Sequence, residues 1–338
     1  MTTLSTLGQN RLIRAEMSKL QLDINRIQQQ ITSGQKTDRY GDLAALAPLD
    51  ISLRNKGEQL TGFKNNIQTL KARTDIIDNT LTAVRSQVLD MRNIALANKM
   101  FDTGRADITS RAQAAVKDIM QKLQANVDGR FLFAGVATDT PPMANSSALL
   151  AAAQAAVDAA LLAPVPDVLT AVRNAVSGVM ATTSNFYVGG TRHAGPEIDE
   201  GIVADYSITG DDPAFQTALH SLLMLATLPA PQDDPVTPPA INRADWDAVA
   251  NEAGTKLTDA LTGIETLQLS NGRVQQLLEQ TEQAHEATLT IIQTQINDIE
   301  QVDLLDASAR ITQLRTQLEA SFAVTAELRG LTLVDYLR

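Results

Sequence analysis

The side chains best suited to acid–base or metal chemistry near neutral pH are three histidines, His193, His220 and His285. None has a second histidine or a carboxylate at a metal-ligand spacing such as HExxH, so each reads as structural or solvent-exposed. Asp199 with Glu200, and Asp211 with Asp212, are adjacent carboxylates that could hold a cation or divide acid and base roles. Neighbours along a strand point to opposite faces, and Asp212 followed by Pro213 is a helix start, in which the carboxylate caps and proline fills the first helical position. Gly189-Gly190 lacks a phosphate-loop context. Asn145-Ser146-Ser147 matches a glycosylation sequon with no secretory signal to put it to use. No nucleophile elbow or kinase signature occurs. The absence of cysteine removes disulfides, thiolate metal sites and cysteine nucleophiles together. The residues therefore point away from an enzyme, and they call for no cofactor and no metal.

What the chain does carry is periodicity. Ile67, Leu70, Thr74, Ile77, Leu81, Val84, Val88, Met91 and Ala95 repeat at spacings of three and four, the pattern of a coiled-coil seam. A second seam, Ile13, Met17, Leu20, Ile24, Ile27 and Ile31, begins close to the first residue, with Leu4 and Leu7 ahead of it. A third, Leu304, Ala307, Ile311, Leu314, Leu318, Ser321, Thr325 and Leu328, runs nearly to the last, with Leu331, Leu333 and Tyr336 beyond it. Termini are usually frayed and polar because few contacts tie them down. Apolar seams at both ends need a partner, and the obvious one is each other. These residues are the expected assembly interface.

Composition narrows the fold. The apolar share of 44% can furnish a core, while aromatics at 4% leave that core to Leu, Ile, Val and Ala, which suits helix packing better than a sandwich. Eleven of the 12 prolines lie between Pro141 and Pro239, so the chain between the arms is written differently from the arms. Charge divides the same way. Residues 1–130 hold 19 Lys and Arg against 13 Asp and Glu, residues 131–255 hold 3 against 14, and residues 256–338 hold 6 against 12. Arms of opposite sign favour pairing of one with the other, although exposed pairs set register more than stability. The basic arm alternates in sign and carries no interleaved aromatics for stacking, which argues against nucleic acid. Residues 148–163, the most membrane-like stretch, are too short and too polar to span a bilayer, so no membrane insertion is expected.

The expected layout is nested and mainly α, with a smaller α+β insertion. Helix is expected over about 4–33, ending at Gly34, with a polar joint to residue 42, then over about 50–99. A turn at 101–104 leads to an antiparallel helix ending at Gly129 and a short strand over 130–135. Ala-rich helices are expected over 148–162 and 167–181, strand pieces over 186–190 and 198–209, a helix from Asp212 to about 228, and a Pro-rich loop over 229–240. From Asp245 the chain should be helical to its end, with Gly254, Gly263 and Gly272 as weak points and a break near 301–303. This gives an inner terminal coiled coil from 1–40 and 301–338, a helical-bundle core from 41–135 and 246–300, and a variable outer domain from 136–245. In that arrangement the N- and C-terminal helices pair as a coiled coil or helical bundle.

The terminal seams, the Ser33-Gly34-Gln35-Lys36 end of the first helix and the stretch VDLLDASARITQLRTQLEASFAVTAELRGLTLVDYL resemble the flagellin superfamily, whose N- and C-terminal helical regions pair around a variable insertion. Within it, GRFLFAGVATDTPP at 129–142, YVGG at Tyr187 and EIDEGIVADYSITGDDPAF at 197–215 are similar to the hook-associated protein 3 family, which joins hook to filament. The resemblance implies an extracellular structural subunit of the bacterial flagellum, exported by the specialised type III apparatus without a Sec signal and assembling with itself. Its implied partners are hook-associated protein 1 on the hook side, flagellin on the filament side and an export chaperone. Flagellin itself, or more distantly a cytoplasmic coiled-coil signalling adapter, are the alternatives.

Overall fold

The computed structural model of the chain describes residues 6–36, 43, 45–97, 102–162, 167–182, 186–231 and 241–336. Eight helices are described: α1 (Thr6–Ser33), α2 (Ala47–Ala97), α3 (Asp102–Lys122), α4 (Ser146–Leu161), α5 (Val168–Ala181), α6 (Pro213–Ala226), α7 (Arg243–Glu300) and α8 (Leu304–Tyr336). Two small antiparallel hairpins complete the set, β1 (Asn126–Val127) with β2 (Arg130–Phe131) and β3 (Glu197–Asp199) with β4 (Ile202–Val203). The fold is mainly α with a few short strands in the middle, as the sequence leads one to expect.

Contacts group the chain into two compact units, Met1–Leu60 with Glu286–Arg338 and Thr61–His285. The bundle and the insertion fall together because one hydrophobic core runs through both. All nine seam residues of α2 from Ile67 to Ala95 are buried, and they belong with Ile108, Ala112, Ala115, Ile119 and Leu123 of α3 and with the apolar faces of α4, α5, α6 and α7. The helix α6 explains the merger. Almost every residue from Ala218 to Ala226 is buried, so this helix is core on all sides, packing on α3, α4 and α5. Its start follows the expected form: Asp212 Oδ1 accepts from the N–H of Ala214 at 3.1 Å, and Pro213 opens the helix.

In this second unit the basic N-terminal and acidic C-terminal helices are cross-linked as their charges suggest. Lys71 meets Glu279 and Glu282, the latter at 2.9 Å, and Arg85 meets Glu265 at 2.6 Å. The two carboxylates drive the Lys71 ammonium above its usual pKa range, and hydrogen bonding from Lys71 pulls Glu279 below its own. Arg105 is nearly buried, forked onto Asp247 at 3.1–3.3 Å with its guanidinium 5.7 Å from the centre of the buried Trp246 ring.

Several boundaries differ from expectation, each for a local reason. The helix α3 stops at Lys122 rather than Gly129, because Asp128-Gly129 forms a two-residue hairpin turn with positive φ at both residues, 52° and 76°. The strand expected over 130–135 is reduced to Arg130–Phe131 as β2. The strand pieces expected over 186–190 and 198–209 shrink to the Met143–Tyr187 bridge and the β3–β4 hairpin. The helix α7 runs unbroken through its three glycines. At Gly263 a Cβ would stand 2.7 Å from that of Ala214, so the glycine admits α6 instead of weakening α7. The turn expected over 101–104 gives way to helix from Asp102, where α3 begins, while Phe101, the expected joint after residue 36 and most of the Pro-rich loop lie outside the described residues.

Candidate assembly surface

In the first unit α1 and α8 pack along each other. Their contact is built by the seams: Ile24 and Ile27 are buried at 8% and 4% exposure, Ala307 is buried, and Ile13, Met17, Leu20, Ile31, Ile311, Leu314, Leu318, Ser321 and Thr325 are half-buried. Thr325 Oγ1 lies 4.0 Å from Met17 Sδ, which fixes the register near the ends of the pair. Leu304 stands apart from the other described seam residues. It is 55% exposed, because it is the first residue of α8 and comes directly after the break, before the seam closes. Leu4 lies outside the described residues, as do the side chains of Leu7, Leu328, Leu331, Leu333 and Tyr336.

The base of this pair is pinned by backbone. Gly34 ends α1 with φ 74°, its N–H returning to the Gln30 carbonyl at 2.9 Å. The chain then pairs with the α7–α8 break: Gln35 bridges Gln301, Lys36 N–H donates to the Glu300 carbonyl at 2.7 Å, and Val302 N–H donates to the Gly34 carbonyl at 3.0 Å. The Lys36 ammonium donates to the carbonyls of Asp298 and Ile299 at 2.7 and 3.0 Å, placing a cation on the negative end of α7. Asp303 caps α8, its Oδ1 accepting from the N–H groups of Leu305 and Asp306 at 2.9 and 3.3 Å. Arg54 joins the buried Asp50 carboxylate, at 3.2 Å, to Glu300. Sequence reading found the break and the Gly34 stop but not Lys36, whose only signal was a cation just past a helix end.

The seam closes within one chain and leaves other apolar side chains of the unit exposed. Leu12 and Leu22 of α1 and Leu305, Phe322 and Val324 of α8 are 50–84% exposed, and Leu46, Leu49, Ile51 and Ile291 of the same unit are exposed as well. Single exposed apolar residues are ordinary, but a helix pair that carries them along both members marks an interaction surface. The sequence hid these side chains because they do not share one heptad register.

The residues with chemical potential are spent on structure. His285 is buried, with Nε2 2.8 Å from the Ile198 carbonyl and its ring stacked on Phe63 at 5.9 Å. His193 packs edge-on to Tyr206, whose hydroxyl is 3.3 Å from His193 Nε2. His220 Nε2 lies 2.9 Å from Ser177 Oγ. Burial lowers its pKa, Arg173 and Lys256 add to the lowering, and a backbone hydrogen bond at Arg173 and the charge of Glu252 oppose it. Asp199 accepts from Glu200 N–H and Glu197 from Gly201 N–H, both tightening the β3–β4 turn. Asp212 caps α6 and pairs with Arg192 at 3.0 Å. Asn145 of the sequon caps α4. Among the described residues no group of three or more His, Asp or Glu is placed to hold a metal ion, and no helix is long and apolar enough to cross a membrane.

The segments 129–142 and 187–215 are laced to each other within the second unit. Gly190 N–H donates to the Ala134 carbonyl at 2.8 Å, Val136 N–H to that of Thr191 at 2.9 Å, Val188 N–H to that of Pro142 at 2.8 Å, and Gly210 N–H to that of Phe133 at 2.9 Å. They form one platform from which the middle of the chain departs and to which it returns.

Comparison with known proteins agrees with this architecture. Residues 4–138 match the bacterial flagellin N-terminal helical region, and residues 255–337 match the bacterial flagellin C-terminal helical region. No curated protein matches the chain. A solved structure from Vibrio parahaemolyticus, named for a flagellar hook-associated protein, is similar in fold with a TM-score of 0.53 and 16% identity, covering 75% of this chain and 97% of that one.

Proposed function

The chain belongs to the flagellin family and is a structural protein of the bacterial flagellum, and from that premise we propose that it forms the junction between hook and filament by helical self-assembly through its paired terminal helices. The observation that carries the junction reading is the platform of segments 129–142 and 187–215. These are the stretches whose sequences resemble the hook–filament junction proteins, and their backbones bond directly to each other. The fold shared with the Vibrio structure named for a hook-associated protein supports the same reading.

Assembly follows from unit 1. With the α1–α8 seam closed inside each copy, the exposed side chains of Leu12, Leu22, Leu305, Phe322 and Val324 are what neighbouring copies bury. Each large side chain fully buried contributes roughly 1.5–3 kcal/mol relative to exposure, so a few such contacts per neighbour suffice to hold a ring or short helix. The seam residues from Ile13 to Ile31 and from Ile311 to Leu328 act in assembly by shaping that surface. Proposed partners are further copies of the chain, hook-associated protein 1 on the hook side, flagellin on the filament side and an export chaperone. The proposed route is the flagellar type III apparatus.

Immunogold electron microscopy of flagella bearing an epitope inserted after Gln232 tests the proposal. One cluster of label where hook meets filament is expected. Label along the whole filament makes the chain a filament subunit instead, and label confined to the cell interior removes it from the appendage.

A further inference from the structure

The β3–β4 hairpin is irregular in a way that exposes its apolar residues. Three residues of β3 stand against two of β4, so Glu197 faces Val203 and Asp199 faces Ile202. Ile198, the extra residue, is fully buried, and its carbonyl accepts from the His285 ring of α7 at 2.8 Å. Ile202 and Val203 are 42% and 49% exposed. The hairpin thus presents two adjoining aliphatic side chains, each opposite a carboxylate residue, within the acidic middle of the chain, where residues 131–255 hold 3 Lys and Arg against 14 Asp and Glu.

A surface of matching size and opposite charge lies on α7 of the same unit. Leu269, Arg273 and Leu277 follow at four-residue spacing and so form one line along the helix. Leu269 is 66% and Leu277 37% exposed, and Arg273 is exposed and makes no ion pair among the described residues. Beside it, Gly272 has open space where a side chain would stand, which admits an incoming group close to the helix.

The two surfaces cannot meet within one chain. The helix α7 turns Gln268, Asn271, Gln275 and Glu279 toward α2, and at 3.6 residues per turn the leucine–arginine line sits about 150° around the helix from them. The hairpin is tied at His285 and at Asn66 of α2, whose amide donates to the Glu197 carbonyl at 3.1 Å. His285 is about 18 Å along the axis from Arg273 and roughly 120° around from the line. Complementary surfaces on different sides of one body join different copies, and such a contact repeats from copy to copy until it closes as a ring or continues as a helix.

We infer that the β3–β4 hairpin of one copy docks on the Leu269–Arg273–Leu277 line of a second copy. Ile202 and Val203 cover the two leucines, and the carboxylates of Glu197 and Asp199 face Arg273. Apolar contact supplies the attraction and the charges choose the orientation. The inference rests on the reading that copies of this chain assemble in the flagellum, and it adds to that reading a contact in the second unit, separate from the terminal helices.

The chain has no cysteine, so Val203→Cys together with Leu269→Cys supplies its only thiols. Both positions are exposed, and far-UV circular dichroism checks that the variant folds as the parent does. A short bismaleimide applied to flagella assembled from the double variant should give dimers and higher multiples of the chain on a denaturing gel. Each single variant should give monomer only. Arg273→Glu added to the double variant sets like charges together and should cut the cross-linked fraction by about fivefold. Immunogold labelling of the same flagella keeps the two readings apart. Label at the hook–filament junction with monomer only overturns the docking and leaves the proposed function standing. Multimers with label along the whole filament sustain the docking and remove the junction role, and a chain missing from the flagellum overturns both. Dimers from either single variant mean that like surfaces meet, a cross-linked band of any other mass means a different partner, and a yield unmoved by Arg273→Glu means that the charges do not face each other; each of these overturns the inference.

Discussion

The backbone N–H of Lys36 donates to the carbonyl of Glu300 at 2.7 Å, joining the residues just past the end of α1 to the last residue of α7. The same lysine sends its ammonium to the carbonyls of Asp298 and Ile299, so main chain and side chain of one residue close the exposed end of a helix. The α1–α8 pair thus starts from a fixed base. Its register follows from that base and not from heptads alone, which tolerate slippage by whole repeats.

Lys36→Met keeps the aliphatic stem and removes the cation. Charge on a helix C-terminus is worth about 0.3–1 kcal/mol, so amide exchange in the last turn of α7 and the first turns of α8 should quicken by about two- to fivefold. Unchanged exchange there means the ammonium contributes nothing to the joint.

Two substitutions on α8 separate pairing within a chain from assembly between chains. Leu318→Asp puts a charge on the half-buried seam and should reduce helix content by far-UV circular dichroism as well as abolish assembly. Phe322→Ser, at an exposed apolar position, should keep the helix content and still fail to assemble by electron microscopy. Normal assembly of the Phe322 variant would show that this exposed side chain is not part of an interface.

Asp212→Ala removes the α6 cap and the Arg192 ion pair together. Loss of a cap costs about 1–2 kcal/mol, so the melting temperature should drop by several degrees. Asp212→Asn retains the capping oxygen and should lose distinctly less. Equal losses in the two variants would place the effect in the ion pair.

The arms were legible because their signal is repetitive: three-and-four spacing over many turns leaves one helical face to bury, and Gly34 and residues 301–303 interrupt it in plain sight. The cap at Asp212-Pro213 was legible for the same local reason. The middle was not, because its order depends on long-range bonds such as Gly190 to Ala134 and Gly210 to Phe133, which no short window contains. Asp128-Gly129 was a readable hairpin signal, masked by the helical run ahead of it. Gly263 misleads as a weak point since its reason, the approach of Ala214, comes from another helix. The exposed apolar side chains of the candidate surface, Leu22, Leu305 and Phe322 among them, were hidden because they follow no single heptad, and the seam was the pattern in view.

His220 gives the chain a predicted dependence on pH near neutrality. Burial lowers its pKa in the folded state below the ordinary 6.5, so as pH falls the unfolded chain takes up this proton first. The stability at stake is fully present above about pH 6.5 and declines below it. Ser177, Arg173, Glu252, Lys256 and Asp259 surround the imidazole from α5 and α7, and the two cations among them disfavour a third. The carboxylates of Asp167 and Glu279 have lowered pKa values and lose their contributions only as pH falls through the carboxylate range. His220→Gln keeps a polar side chain of similar length without the titration. Urea midpoints at pH 5.5 and 7.5 should therefore differ less in the variant than in the parent chain. If both proteins lose the same midpoint on acidification, the half-buried imidazole is not the group that titrates against folding.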